Sequence, residues 1–310
     1  MPDGADALRE GRLVYSERGM KYMDKIRMNT GAQIPVLGFG VFRVPEKDIC
    51  RQAVLDALRT GYRLIDTAAV YGNEDAVGDA IRQAAEEGIC TREEIFLTSK
   101  VWVTDMNDYD SVRRAVDASL KKTGVEYFDL YLLHQACNDY FAAWRGMEGA
   151  YADGQLRAIG VSNFYPNILT NFCETVKTIP AVNQIELHPY YVQQQALETM
   201  AYYGVVPEAW APLGGGRYDP FHEPVLTAIA EKYGKTVSQV MLRWNVERGV
   251  VVIRKSVHRE RIEENFRIWD FRLTQEEVEK IATLDMGYTG SRAKHFDPDF
   301  VRMVLGKSNA

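Results

Sequence analysis

Eight short runs, apolar or alternating apolar with polar, recur along the chain: VLGFG (36–40), LIDTA (64–68), IFLTSKV (95–101), FDLYLLH (128–134), AIGVSNF (158–164), AVNQIEL (181–187), VVPEAWA (205–211) and VVVIRKS (250–256). Their length and β-branched content predict strands. Longer segments with helical apolar spacing separate them, including DICRQAVLDALRTG, YDSVRRAVDASLKKTG and DYFAAWRGMEGAYADG. Several of these end in glycine (Gly61, Gly88, Gly124, Gly154, Gly204), the residue that left-handed helix caps prefer. Eight strand-then-helix units without a break in composition predict an α/β fold of the (β/α)8 TIM-barrel type. A doubly wound sheet is the second choice. It would carry a glycine-rich phosphate loop after its first strand, where this chain has VFRVPEKD.

Ahead of the first strand, IRMNTGAQIP reads as a hairpin turning at Asn29, Thr30 and Gly31, placed to cap the bottom of a barrel. After the eighth, ERIEENFRIWD and TQEEVEKIATL read as two helices, followed by a Gly- and charge-rich C-terminal tail from Met286. Residues 1–24 are expected to be a flexible leader, and 25–310 a single barrel domain.

Composition narrows the function. The chain has 310 residues, 46% of them apolar, enough for one large core. Its net charge of −6, with both signs interspersed, argues against general binding of nucleic acid or of acidic membranes. The local exception is a basic cluster of Arg254, Lys255, His258, Arg259 and Arg261. The four cysteines (Cys50, Cys90, Cys137, Cys173) have no paired spacing and read as reduced thiols. No apolar stretch is long enough to span a bilayer, and the N-terminus lacks a signal-peptide core, so a cytoplasmic protein is expected. The five histidines (134, 188, 222, 258, 295) are scattered, with no HxH, and no metal site is expected.

In a barrel of this kind the active site lies at the carboxyl ends of the strands. Asp66 ends the second strand, Tyr71 follows it, Lys100 ends the third and His134 the fourth. Neighbouring strands are about 4.8 Å apart, so these four groups fall within reach of one another. A phenol has a free pKa near 10 and is a poor acid alone. A nearby ammonium lowers that value, a carboxylate balances the buried ammonium, and an imidazole can orient a carbonyl oxygen. The set suits general acid catalysis on a carbonyl. Any one of the four at a strand end would be ordinary; four at consecutive strand ends are not.

Around these residues, GYRLIDTAAVYGNEDAVGDAI (61–81), LTSKVW (97–102), LYLLH (130–134), LRAIGVSNF (156–164), NQIELHP (183–189), EAWAPLGGG (208–216) and IRKSVHRERIEENF (253–266) resemble the aldo-keto reductase family, in family order. The likeness runs over residues of about 26 to 290. Its pattern is similar to the bacterial 2,5-diketo-gluconate and methylglyoxal reductases.

The resemblance implies an NADPH-dependent reductase of aldehydes or ketones. Tyr71 would be its proton donor, Lys100 and Asp66 would tune Tyr71, and His134 would orient the carbonyl. Ser162, Asn163 and Gln184 match the positions that hold the nicotinamide carboxamide, and Trp210 an aromatic that stacks on the ring. Gly40, Val41 and Phe42 after the first strand, and Pro212, Leu213 and Gly214 in the strap over the pyrophosphate, complete the inner contacts. Lys255, Ser256, Val257 and Arg261 match the clamp on the adenosine 2′-phosphate; two cations and a hydroxyl suit a dianion. Glu264 and Asn265 match the adenine contacts. Phe42, Tyr71, Trp102, His134 and Gln135 would line the substrate pocket.

The chain also departs from the family pattern. Arg254 stands where proline is usual, Gln135 where many members have tryptophan, and Phe42 replaces a common tryptophan. Two sides of the pocket are thus less aromatic, and the short loop from His134 to Asp139 suggests an open pocket. The partner expected is a small carbonyl compound, acted on by a monomer. The alternative is an aldo-keto reductase-like binding or regulatory protein with little turnover.

Overall fold

The computed structural model describes residues 24–289, 294, 295 and 297–306. The expected leader lies, except for Asp24, outside the described residues. A two-stranded antiparallel hairpin, β1 (Lys25–Arg27) with β2 (Gln33–Pro35), opens the described chain, pairing Lys25 with Pro35 and Arg27 with Gln33. Its turn closes with Gly31 N donating to Met28 O at 2.9 Å, at the residues the sequence predicts.

Eight parallel strands then close into a barrel: β3 (Leu37–Gly40), β4 (Leu64–Asp66), β5 (Phe96–Val101), β6 (Leu130–Leu133), β7 (Ile159–Ser162), β8 (Val182–Glu186), β9 (Val206–Trp210) and β10 (Val251–Arg254). They pair in chain order, and β10 closes the ring on β3 through Val252 with Leu37 and Arg254 with Phe39. Every one of the eight falls inside its expected run. Helices α1 (Lys47–Thr60), α2 (Glu74–Glu86), α3 (Tyr109–Thr123), α4 (Tyr140–Ala152), α5 (Pro166–Thr175) and α6 (Gln194–Tyr203) connect β3 through β9. Two helices, α7 (Pro224–Tyr233) and α8 (Val237–Glu247), join β9 to β10, and α9 (Arg259–Phe266) and α10 (Gln275–Ala282) follow. The tail, which sequence alone left without an element, contains a short helix α11 (Pro298–Val304). Pro298 at its first turn and the Asp297 carboxylate accepting from Asp299 N start it, as helix N-termini prefer.

Strand alternation produces two cores. Residues of one parity, among them Tyr131, Leu133, Val161, Ile185 and Ala209, face the helices. Residues of the other parity fill the barrel: Leu64, Phe96, Leu130, Leu132, Ala158, Val182, Val206, Val251 and Ile253, with Met28 and Ile34 of the hairpin closing its lower end. The interior is tight enough at β3 to demand glycine, since a Cβ on Gly38 would come within 2.5 Å of Ile253 and one on Gly40 within 2.7 Å. Continuing the inward parity upward from this apolar plug gives Asp66, Lys100, His134, Ser162, Gln184 and Glu208. The inside of the barrel therefore changes from apolar to polar at the carboxyl ends of its strands.

Candidate active site at the carboxyl ends of the strands

Lys100 carries its ammonium on β5 with no exposure to solvent. Its Nζ donates to Asp66 Oδ1 at 2.6 Å, to Thr67 O at 2.9 Å and towards Tyr71 Oη at 3.5 Å. Tyr71 ends a single 3-10 turn (Ala69–Tyr71), stopped by Gly72 in the left-handed conformation. Asn73 fixes this corner: its Nδ2 donates to Val41 O and Val44 O at 3.0 Å, and its Oδ1 accepts from Thr67 Oγ1 at 2.9 Å. The loops after β3 and β4 are thereby tied together, and the Phe42 ring lies 5.0 Å from the Tyr71 ring. The His134 ring stands edge-on to Tyr71 at 5.7 Å and to Trp102 at 5.1 Å. The four residues singled out in the sequence thus share one mouth, with Phe42 and Trp102 as its walls.

The electrostatics differ from the expectation in one respect. Burial pushes the Tyr71 phenol above its ordinary value and outweighs the pull of Lys100; Asp66 and Glu208 push the same way. The ammonium therefore does not produce a net lowering, because dehydrating a phenolate costs more than one already paired cation returns. Burial also disfavours charge on Lys100, yet Asp66, Tyr71 and Glu208 together hold its pKa above the ordinary value. His134 is held well below its usual range by burial, by Lys100 and by His295, so its ring is neutral at neutral pH.

The neighbouring strand ends carry a hydrogen-bonded ring. Ser162 Oγ donates to Gln184 O at 2.9 Å, and Asn163 Nδ2 to His134 O and Ser162 Oγ, both at 3.1 Å. Trp210 Nε1 donates to Asn163 Oδ1 at 2.9 Å. Asn163 makes these bonds from a left-handed backbone conformation, φ 63°. Gln184 Nε2 donates to Asp66 Oδ2 at 2.9 Å and to Glu208 Oε1 at 2.7 Å. Its amide nitrogen is therefore taken up by two carboxyl groups.

Beyond Trp210 the chain runs through buried Pro212 and half-buried Leu213 into the turn Gly214–Gly216, whose three glycines all have positive φ. Arg217 then pins the loop by donating to Glu186 Oε1 at 2.9 Å. After the adjacent strand β10, Lys255 precedes buried Ser256 and Arg261 lies in the first turn of α9, and neither makes an ion pair with a described residue. Val257 is exposed, Asn265 is buried on α9, and Glu264 Oε1 accepts from Thr236 Oγ1 at 2.9 Å. Arg254 is partly buried on the helix-facing side of β10, its guanidinium lowered by burial and by Arg261 against the opposite pull of Tyr62.

Three participants were not singled out from the sequence as part of this arrangement: Asn73, the Thr67 carbonyl and Glu208. His295 Nδ1 meets Gln135 Oε1 at 2.7 Å, and its ring lies edge-on to Trp210 at 5.5 Å and to Phe300 at 4.8 Å. The tail thus reaches the mouth that the short loop after His134 suggested was open, and Gln135 is buried beneath it. Of the three residues not singled out, Glu208 had a readable signal, a lone acid of inward parity in an apolar strand. Among the described residues no group of acidic, histidine or cysteine side chains could hold a metal ion, and no helix is long and apolar enough to cross a membrane.

Residues 37–286 match the model of the aldo/keto reductase family. An aldo-keto reductase of Mycolicibacterium smegmatis is 44% identical over 266 residues, covering 85% of this chain and 94% of its own. The glyoxal reductase of Bacillus subtilis is 42% identical, covering 84% and 93% of the two chains, and the methylglyoxal reductase of Escherichia coli is 41% identical, covering 84% and 94%. Among solved structures, the aldo-keto reductase of Bombyx mori in complex with NADP superposes with a TM-score of 0.84 at 36% identity, over 90% of this chain and 97% of that one. The barrel, the polar cluster at its mouth and these likenesses agree: the chain belongs to the aldo/keto reductase family.

Proposed function

We propose that this protein reduces aldehydes or ketones to alcohols with NADPH, and that Tyr71 delivers the proton. The observation that carries the reading is the Tyr71–Lys100–Asp66 chain beside a neutral His134, in one barrel mouth. When bound, the nicotinamide supplies the hydride that reduces the carbonyl carbon. The neutral His134 ring donates a hydrogen bond to the carbonyl oxygen and points it at Tyr71. Tyr71 gives its proton to that oxygen as negative charge develops there, and the phenolate left behind is stabilised by Lys100. Asp66 and the Thr67 carbonyl keep Lys100 aimed at the phenol. In the alcohol-oxidising direction the phenolate is the base.

The residues present fit the nucleotide. Trp210 offers a half-exposed ring braced by Asn163, and the glycines of 214–216 allow a phosphate chain close to the backbone. Ser162, Asn163 and Gln184 border the place of the carboxamide, with Gly40, Val41 and Phe42 across from them. Lys255, Ser256 and Arg261 form an uncompensated cationic rim suited to a 2′-phosphate, while Val257, Glu264 and Asn265 lie beside it for the adenine. Two relatives are named for glyoxal and methylglyoxal, so short α-oxo aldehydes stand first among the substrates we propose. A cytoplasmic monomer belongs to the same proposal.

The test is steady-state oxidation of NADPH over aldehydes, α-dicarbonyls, keto-sugars and ketosteroids, with Tyr71→Phe as control. Turnover of at least one class by the wild type, and its loss in a variant that still binds NADPH, supports the reading. A Tyr71→Phe variant as fast as the wild type overturns it.

A further inference from the structure

Among the described residues, Glu208 is a buried ionisable group of the upper barrel without a part in the proposed reaction. It stands on β9 with no exposure. Its Oε1 accepts from Gln184 Nε2 at 2.7 Å, and the same nitrogen donates to Asp66 Oδ2 at 2.9 Å. Its Oε2 is sealed and has no hydrogen-bond partner among the described residues. The groups facing it are Asp66 on β4, Tyr71 after β4, Lys100 on β5 and Gln184 on β8. On β10 the residue in register with it is Val251, and that strand has no ionisable side chain before Arg254 at its end.

A charge count decides its state. Lys100 is the one cation in this group and is already neutralised by Asp66 at 2.6 Å. A second carboxylate would be a buried charge without a counter-ion and with one oxygen lacking any donor, which proteins avoid by keeping the acid neutral. The two acceptors also dictate the orientation of Gln184: its NH2 group turns to the acids, and its oxygen is left without a partner among the described residues.

We propose that Glu208 is a positioning residue for the Tyr71–Lys100–Asp66 set. As an uncharged acid it locks the Gln184 amide, and on losing its proton it changes the charge beneath Tyr71. The kinetic half of this proposal rests on Tyr71 being the proton donor; the protonation half does not. Burial and the nearby Asp66 push Glu208 from 4.5 up to about 8, against the opposing effects of Gln184 and Lys100. Below that pH the Asp66–Lys100–Glu208 group is neutral. Above it the group carries one negative charge, which raises the Tyr71 pKa and keeps the phenol protonated further into alkali.

The experiment uses the full chain as wild type, Glu208→Gln and Glu208→Leu. Isotope-edited difference infrared spectra of the nucleotide-free protein should show a protonated carboxyl band at neutral pH that fades in alkali and is missing from Glu208→Gln. In pH profiles of kcat for reduction, the alkaline limb of Glu208→Gln should lie at lower pH than that of the wild type, by on the order of half a unit or more. Glu208→Gln keeps an acceptor for Gln184 and Glu208→Leu does not. NADP affinity, read by quenching of tryptophan fluorescence, should therefore fall more in Glu208→Leu. Absence of the band at neutral pH, or superimposable alkaline limbs, overturns the proposal. A wild type that shows the band but reduces no carbonyl overturns the functional reading instead, and leaves the Glu208 assignment supported by the spectra and the nucleotide titration.

Discussion

Lys100 sits 2.6 Å from Asp66 Oδ1 but 3.5 Å from the Tyr71 oxygen. The ammonium is thus primarily the partner of the carboxylate, and its hold on the phenol is the looser of the two. This inequality suits a proton donor. A phenol bound more tightly to the ammonium would give up its proton in the resting protein, whereas here burial keeps Tyr71 protonated until a developing alkoxide draws the proton away.

Removing either partner should separate catalysis from stability. Lys100→Met leaves Asp66 buried without its cation and should destabilise the fold by about 3–5 kcal/mol. It should also lower kcat on the order of a hundredfold or more, since it removes the one group opposing the rise of the phenol pKa. The double variant Asp66→Asn with Lys100→Met should recover much of the stability and none of the activity. Thermal unfolding and NADPH oxidation on the same samples check both outcomes; a double variant that regains turnover would show that the cation is dispensable.

The rim cations supply a second prediction. Lys255 and Arg261 make no ion pair with a described residue, so they are free to meet an anion. Charge-assisted hydrogen bonds are worth about 1.5–3 kcal/mol each. Replacing both by Ala should therefore weaken NADPH binding on the order of a hundredfold or more and leave NADH within a few-fold. Equal losses for the two nucleotides, in a fluorescence titration, would remove the 2′-phosphate from this rim.

The contact of the tail with Gln135 leads to a third. Gln135→Leu deprives His295 of the acceptor at 2.7 Å and should loosen the tail over the mouth. Because neither residue is proposed to touch the nucleotide, NADPH affinity should change by less than about twofold while KM values for carbonyls of different size are reordered. A uniform change in KM across small and bulky carbonyls would count against the tail as a wall of the pocket.

What could and could not be read in the sequence follows from the range of the interactions. The eight strands were legible because parallel barrel strands are buried on both faces and stand out as apolar runs against the helical spacing between them. The tetrad was legible because three of its members end or directly follow such runs. The Gln184 bridge from Asp66 to Glu208 was not, since it depends on which inward residues share a layer, and that is set by the register of strands far apart in the chain. Nor was the meeting of His295 with Gln135, separated by 160 residues. The net rise of the Tyr71 pKa was missed for a different reason. The sequence identifies the charges around the phenol but not how completely water is excluded from them.

The last prediction concerns acid. Burial lowers His295 from 6.5 to about 4; Glu186 opposes this and Arg217 adds to it. The folded tail therefore holds the ring neutral, while a detached tail would take up a proton near pH 6.5. With the folded pKa below the free one, the stabilisation of the docked tail is complete above about pH 6.5. It declines as the pH falls and is lost as the pH passes through about 4. The groups around the ring favour this release, since Arg217 lies near, Gln135 already accepts the one proton the neutral ring offers at Nδ1, and Trp210 and Phe300 bury the remainder. The indole of Trp210 reports the event directly, because the His295 ring lies edge-on to it at 5.5 Å. Tryptophan emission should change between pH 6.5 and 4 well before the barrel unfolds by circular dichroism, and the change should be absent from His295→Asn, which keeps a hydrogen-bond donor but does not titrate. An identical emission change in that variant would assign the transition to another group.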